Sequence, residues 1–418
     1  MFRTIIEASV RFRWFVVLAT ALIAAVGLFE LTRLPIDAVP DITNRQVQIN
    51  TIAPALAPEQ MERQVTYPLE TAMAGIPGLQ STRSLSRNGF SQITVIFTDQ
   101  TDIYFARQQV AERMAQAREN LPEGVEPALA PITTGLGEVL MWTVDYEPFT
   151  KKTLVRPGQP GWQADGSYLT PEGDRLTTPQ ARATYLRTVQ DWIIAPRMRT
   201  TPGLAGVDVN GGYVKEYAVR PDPARLASYG LSLADLIQAL ERANTQAGAG
   251  YIQRAGEALT VRSDALAQTV QDLAQAPVVN RNGLVVRVAD VAAVEMGQAP
   301  RLGGASRDGH EAVIGTALML AGGNSRTVAG AAARLEEVAA SLPPDIIAKP
   351  VLNRSELVNS TIATVARNLT EGALFVVVVL FLLLGNIRAA SITALMIPIS
   401  FLFAVIGMNR FGISGNLM

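Results

Sequence analysis

The sequence predicts an α+β membrane protein: transmembrane helices bracket a large extracytoplasmic region made of a duplicated ferredoxin-like (split βαβ) pattern, with a further domain inserted into the second copy. Three observations predict it. Charge-free apolar runs stand near both ends of the 418-residue chain. Between them, an order of strand, helix, strand, strand, helix, strand can be read twice. The second reading is interrupted by a block with strands and a helix of its own.

The first apolar run is 14–29, preceded by Arg3, Arg11 and Arg13. A basic start before a short apolar core also suits a cleaved signal peptide. No small-x-small site closes this run, however; Leu31-Thr32-Arg33-Leu34-Pro35 follows, which favours an uncleaved helix. The arginines place its N-terminal side in the cytoplasm by the positive-inside rule. Two more runs, 372–387 and 389–409, meet at Gly385-Asn386 and Arg388. Each is near the ~20 residues a helix needs to cross a bilayer core. The former is short and must borrow from Leu369-Thr370 or Ile387. Backbone polar groups find no water inside a bilayer, so helices are the form these runs take. Their length and lack of charge argue against a buried hairpin of a soluble protein. Of the odd total of three crossings, two precede Arg388, which leaves Arg388 cytoplasmic and residues 35–371 outside.

Composition narrows the function. Lys+Arg 36 against Asp+Glu 37 gives a net charge of -1, which suggests no nucleic-acid partner. With no cysteine there is no disulfide framework or thiolate metal site in the chain, and one histidine, His310, excludes a His-rich zinc cage. A lone histidine beside a strand reads as a surface or packing residue. No nucleophile–base constellation and no HExxH are present, so no enzyme active site is expected.

Taken in order, 47–53 alternates as a strand, and 59–74 has helical spacing at Met61, Val65, Leu69 and Met73. Pro77-Gly78 stops that helix, and Asn88-Gly89 signals a hairpin whose return strand is 93–97. A helix over 102–120 and a strand over 125–132 complete the first copy. The second opens with a strand at 139–144 and a helix at 181–199. Pro202-Gly203 and Asn210-Gly211 then echo Pro77-Gly78 and Asn88-Gly89. Its closing half is a strand at 312–320, a helix at 326–340 and a strand at 346–352. Between the halves lies 213–298, with a strand at 215–219, a helix at 233–243 and an Asn282-Gly283 hairpin. Residues 148–179 are rich in Pro, Gly, Asp and Thr and show no period, which predicts a surface loop.

Arg33-Leu34-Pro35-Ile36-Asp37-Ala38-Val39-Pro40-Asp41, Pro77-Gly78, Asn88-Gly89-Phe90-Ser91 and Gly385-Asn386-Ile387-Arg388-Ala389 resemble the resistance-nodulation-division (RND) efflux pumps. Thr134-Gly135-Leu136-Gly137-Glu138, 186–192 and Gly211-Gly212-Tyr213-Val214-Lys215 are similar to the heavy-metal branch, the cobalt–zinc–cadmium exporters of the CzcA type. The resemblance covers the chain except 148–179. It implies a first membrane helix in 1–34, a first porter subdomain in 35–134 and a second in 135–212 plus 299–353. It further implies a docking subdomain in 213–298, and a linker helix with two membrane helices in 354–418. It also implies a proton-driven inner-membrane antiporter working as a homotrimer with a periplasmic adaptor and an outer-membrane channel. By the same resemblance the metal cation would be the substrate and the proton the coupling ion, and no cofactor is expected. No Asp or Glu lies inside the three apolar runs, so the proton-relay carboxylates are expected beyond Met418, and this stretch alone is expected not to transport. A Cu(I)/Ag(I) exporter, a multidrug pump and a membrane-anchored periplasmic binding or scaffold module remain the alternatives.

The resemblance points to Glu138 as part of a metal entry cleft, since a carboxylate suits a divalent cation; a solvated strand-end glutamate is the alternative. Met141 is a candidate soft ligand for Cu(I) or Ag(I), against a core reading. Met396, Met408 and Met418 fit a methionine relay or plain membrane packing. Gly322-Gly323-Asn324-Ser325 could suggest a phosphate cradle, but without a P-loop lysine it reads as an N-cap by Asn324 or Ser325. Residues 244–259, rich in small residues and aperiodic, resemble an intersubunit arm. Asn244 stands at its base, Gly250 along it, and Tyr251 and Ile252 at its apolar middle.

Overall fold

The computed structural model describes residues 7, 9–34, 36–37, 43–150, 153–254, 257–264, 266–281, 283–301, 303–323, 325–384, 387–411 and 415–416. Helix α1 (Arg13–Arg33) exposes Trp14, Phe15, Leu18 and Leu22, as a lipid-facing helix does.

The first unit follows in chain order: β1 (Gln46–Ile52), α2 (58–73), β2 (Leu79–Arg87), β3 (Phe90–Phe97), α3 (Ile103–Ala117) and β4 (Glu126–Leu129). Its antiparallel sheet has the order β2-β3-β1-β4. Val47, Ile49 and Thr51 point to the helices and are buried, while alternate residues face outward. Met61, Val65, Leu69 and Met73 from α2 meet Ala106 and Val110 from α3 over that face. The core also holds hydroxyls: Thr66 Oγ1 lies 2.8 Å from Ser86 Oγ, 2.7 Å from Ser91 Oγ and 3.2 Å from the Met61 carbonyl, to which it donates.

The second unit opens with β5 (Thr133–Tyr146), α4 (179–199) and β6 (Leu204–Gly211). An inserted domain intervenes, with β7 (Lys215–Pro221), α5 (Leu233–Ala243), β8 (Gln246–Arg254), β9 (Glu257–Asp264) and β10 (Ala292–Gln298) as its main elements. Then β11 (Val313–Leu320), α6 (Ser325–Ala339) and β12 (Ile346–Asn353) close the unit. The sheet order is β6-β11-β5-β12, the first unit's order again. Trp142 is fully buried on its helix side and donates from Nε1 to Gln190 Oε1 at 2.9 Å. The indole fits because residue 315 is glycine; a Cβ there would lie 2.3 Å from the ring. The inserted domain has its own small core of Leu226, Leu236, Val286, Val288 and Val291. The N-cap reading at Asn324 lies outside the described residues; α6 begins at Ser325.

Helices α2 and α4 are not α-helical throughout. In α2, Glu62–Thr66 is π-helical, between Pro58–Met61 and Tyr67–Met73. In α4, Gln190–Ile194 is π-helical, between Pro179–Val189 and Ala195–Arg199. Each π stretch runs into a proline, Pro68 or Pro196. Proline lacks the N–H for the helical ladder and its ring crowds the carbonyl four residues back, and a widened turn relieves both.

Two expectations change. Residues 148–179 are not a plain surface loop. Short strands Gly161–Trp162, Tyr168–Leu169 and Arg175–Leu176 form a three-stranded meander. Tyr146, Phe149, Trp162, Tyr168 and Tyr185 pack together with ring centroids 4.8 to 6.0 Å apart. This lobe is fastened to the second unit. Tyr168 donates its hydroxyl to the Pro344 carbonyl at 2.6 Å, and the Trp162 amide donates to Asp345 Oδ2 at 3.1 Å. Turns separate these aromatics in sequence, so no period announces them. Burial first, then neighbouring negative groups, push the Tyr168 and Tyr185 hydroxyls well above the ordinary tyrosine range; burial and the adjacent tyrosines do the same for Tyr146.

The aperiodic reading of 244–259 also changes. Its main part is strand β8, paired antiparallel with β9 as a two-stranded ribbon that joins no other sheet among the described residues. Irregular register between Gly248 and Tyr251 hides the alternation of residues that would have marked a strand.

The chain ends with α7 (Arg354–Leu384) and α8 (Ile387–Arg410). Two stretches, Arg13–Leu31 and Ser391–Arg410, are long and apolar enough to cross a membrane. Thr370–Leu383, the C-terminal part of the 31-residue α7, is apolar but shorter than those two. Helix α8 packs on α1, with Gly27 against Leu402 and Asn409 hydrogen-bonded to Glu30.

Candidate functional site

Strand β5 carries both metal candidates. Leu140, Trp142 and Val144 face the helices, so strict alternation would turn residue 138 inward as well. The register prevents this. Ala317 pairs with Leu140 and Leu318 with Glu138, leaving Val139 as the extra residue of a bulge. Glu138 is thereby turned to the open face and is exposed, while Val139 is fully buried. Met141 lies on the same face, half-buried, between Thr316 of β11 and Leu352 of β12. The core reading of Met141 is thus only half met. Just upstream, the Gly135 amide donates to Thr43 Oγ1 at 3.1 Å and ties the start of β5 to the first unit. A cleft of about 130 Å³ opens there, lined by Gln48, Arg107, Pro131, Thr133 and Gly135.

The structure thus brings Glu138 and Met141 to one sheet face. Among the described residues, no group of three or more His, Asp or Glu is close enough together to hold a metal. A carboxylate with a thioether two strand positions away can supply part of a coordination shell, not all of it. His310 is exposed in the short strand His310–Glu311. Met396 is exposed on α8, Met408 is half-buried, and Met418 lies outside the described residues. Asn244 caps the end of α5 and is exposed. Gly250 falls in the irregular part of β8, Tyr251 pairs with Thr260, and Ile252 pairs with Leu259; their side chains lie outside the described residues.

Sequence reasoning passed over a larger cleft. About 640 Å³ opens where the aromatic lobe, α4 and the inserted domain meet, lined by residues including Arg175, Tyr185, Lys215, Glu295 and Met296. Beside it Trp192, 79% exposed, stands on α4. Asp191-Trp192 was visible only as part of a family-like string, because one aromatic in an amphipathic helix reads as core.

Helices of membrane-crossing length, joined to two α+β units of one strand order, make the frame of an RND-type transporter. The chain belongs to the AcrB/AcrD/AcrF family, whose model matches residues 5–418. It is 55% identical over 420 residues to the nickel-cobalt-cadmium resistance protein NccA of Alcaligenes xylosoxydans xylosoxydans, covering 100% of this chain and 39% of that protein. It is 54% identical to the nickel and cobalt resistance protein CnrA of Cupriavidus metallidurans over 420 residues, with the same coverage. Identity to the cobalt-zinc-cadmium resistance protein CzcA of Cupriavidus metallidurans is 46% over 419 residues, covering 100% of this chain and 37% of the relative. The crystal structure of a heavy metal efflux pump superposes with a TM-score of 0.81 at 32% identity, covering 97% of this chain and 38% of the other. The chain therefore spans 37% to 39% of the length of these curated relatives.

Proposed function

We propose that this chain is part of an inner-membrane pump subunit that exports divalent heavy-metal cations in exchange for protons. The observation that carries the reading is identity of 54–55% along the whole chain to two proteins named for nickel and cobalt resistance. Nickel thus joins cobalt, zinc and cadmium as expected cargo, and the lower identity to the cobalt-zinc-cadmium protein favours nickel and cobalt. Family membership supports proton coupling, a homotrimer, a periplasmic adaptor and an outer-membrane channel as parts of this reading.

In this reading the two units are porter subdomains and the inserted domain is the docking subdomain. Glu138 is a hard oxygen ligand at the mouth of the metal path, and Met141 is a softer neighbour on the same sheet face. The exposed carboxylate supports divalent over monovalent cargo. The self-paired ribbon β8–β9 is the intersubunit arm, with Asn244 at its base and Gly250, Tyr251 and Ile252 along it.

Growth of an exporter-deficient host carrying the full-length protein tests the proposal. Raised tolerance to nickel and cobalt salts is expected. Tolerance gained only for silver or copper, or only for organic dyes, would overturn the divalent reading. No gain for any toxicant at normal expression would leave a binding or scaffold module.

A further inference from the structure

The inserted domain joins the second unit through a two-stranded neck. The chain leaves through Gly211-Gly212-Tyr213-Val214 and returns through Ala299-Pro300-Arg301. The β7–β10 ladder reaches Lys215 and Gln298, and one further backbone bond follows, from the Ala299 amide to the Val214 carbonyl at 3.0 Å. Past that point side chains hold the crossing together. Arg301 donates from Nη1 to the Tyr213 hydroxyl at 3.2 Å, with its guanidinium 4.9 Å from the Tyr213 ring centroid. It donates from Nε to the Gly303 carbonyl at 2.8 Å and from Nη2 to Glu311 Oε1 at 2.6 Å. The same Glu311 oxygen accepts the Gly212 amide at 3.1 Å. From α4, Arg187 Nη1 donates to the Gly211 carbonyl at 3.0 Å.

One cation and one carboxylate therefore fasten the outgoing strand, the returning strand and the hairpin before β11. Both side chains are 31% exposed, so water can replace this pair at modest cost. Glycines stand on both strands beside it. Gly211 and Gly212 have φ of +81° and +63°, and a Cβ on Gly211 would lie 2.2 Å from the Ala312 carbonyl oxygen. Gly303 and Gly304 flank the returning strand.

We propose that the neck is a latched hinge: Arg301, Glu311 and Tyr213 hold the inserted domain in one orientation on the second unit, and opening the latch lets the flanking glycines turn. Glycine hinges alone would give a broad spread of orientations, and the latch selects one of them. The inference needs no particular cargo, so it stands or falls apart from the divalent-cation reading.

The chain has no cysteine, so Ser228→Cys in the inserted domain and Glu336→Cys on α6, both exposed, introduce its only labelling sites. In full-length detergent-solubilised protein with any other cysteines replaced, and with labelled protomers diluted in an excess of unlabelled ones so that only distances within one protomer are read, pulsed electron–electron resonance between spin labels there should give one narrow distance distribution. Arg301→Gln and Glu311→Gln should each raise a second distance population by about fivefold. Arg301→Lys, which keeps the charge but not the fork, should fall between. Distributions unchanged from wild type in both glutamine variants would overturn the latch. If those variants fail to assemble, Tyr213→Phe removes only the hydroxyl; faster amide exchange across 211–214 supports the latch, and unchanged exchange refutes it.

Discussion

Thr66→Val isolates what the hydroxyl cluster in the first unit contributes. Valine keeps the shape of threonine and replaces the hydroxyl with a methyl. Three interactions go at once: those with Ser86 Oγ at 2.8 Å, Ser91 Oγ at 2.7 Å and the Met61 carbonyl at 3.2 Å. Ser86 is half-buried and can turn to water, but Ser91 is fully buried and cannot. A net hydrogen bond is worth about 1 kcal/mol, and a stranded buried hydroxyl costs a further ~1–3 kcal/mol. The expected loss is therefore about 2–4 kcal/mol, or roughly 30- to 1,000-fold in the local opening equilibrium. Thr66→Ser keeps the hydroxyl, loses one methyl and should cost only ~1 kcal/mol. Hydrogen exchange of the 79–97 hairpin in the full-length protein reads both variants. If Thr66→Val protects that hairpin as well as Thr66→Ser does, the hydroxyls do not hold α2 to β2 and β3.

Four further outcomes are expected. Glu138→Gln in the full-length protein should lower nickel and cobalt tolerance while the exposed-surface control Glu336→Gln does not; equal tolerance at matched expression removes Glu138 from the site. Replacing 246–256 and its partner strand with a tight turn should leave the protomer folded and lower the trimer fraction in native mass spectrometry, and an unchanged trimer population would rule the ribbon out as an arm. The raised Tyr146, Tyr168 and Tyr185 hydroxyls mean the folded lobe favours protonated tyrosine. Their contribution is complete below the unfolded value near about 10 and is lost as pH rises through the folded values; a difference titration against the triple phenylalanine variant that shows ordinary ionisation near 10 would contradict this. Reporter fusions at Gly166 and Gly250 should be active only in the periplasm and a fusion at Arg388 only in the cytoplasm, and the reverse at any one of them would break the three-crossing topology.

The parts of the fold legible in sequence were those written locally. Asn88-Gly89 sits at the turn between β2 and β3, and the alternation at Val47, Ile49 and Thr51 is the buried face of β1. The bulge that turns Glu138 outward is not local. It exists because β11 pairs differently on either side of Val139, and β11 lies more than a hundred residues away. The aromatic lobe was illegible for the same reason, since Trp162 and Tyr168 bury themselves against Pro344 and Asp345.

The π stretches were half legible. Met61, Val65, Leu69 and Met73 recur every four residues and all are fully buried. On an unbroken α-helix that spacing would drift by roughly 120° between the first and the last, enough to lift Met73 off the sheet. Absorbing one residue in a π turn cuts the drift to about 20°, so the stripe stays on one face. Strict fourfold spacing beside a proline was thus the mark of a widened turn, although it read as ordinary helix. Counted back from Pro202-Gly203, as those four are from Pro77-Gly78, the second unit places Leu186, Gln190, Ile194 and Met198 on the same stripe. All four are buried, and Gln190 is the polar exception. Its Oε1 is met by Trp142, but its Nε2 finds no partner among the described residues. A buried amide whose NH2 group, with two donors, finds no partner costs stability that Val65 does not cost at the matching place. Gln190→Met should therefore leave the buried Trp142 indole N–H without its acceptor yet remove the unpaired NH2 group, and the two effects should nearly cancel in thermal unfolding. A loss above about 2 kcal/mol would mean that the Trp142 bond outweighs the stranded donor.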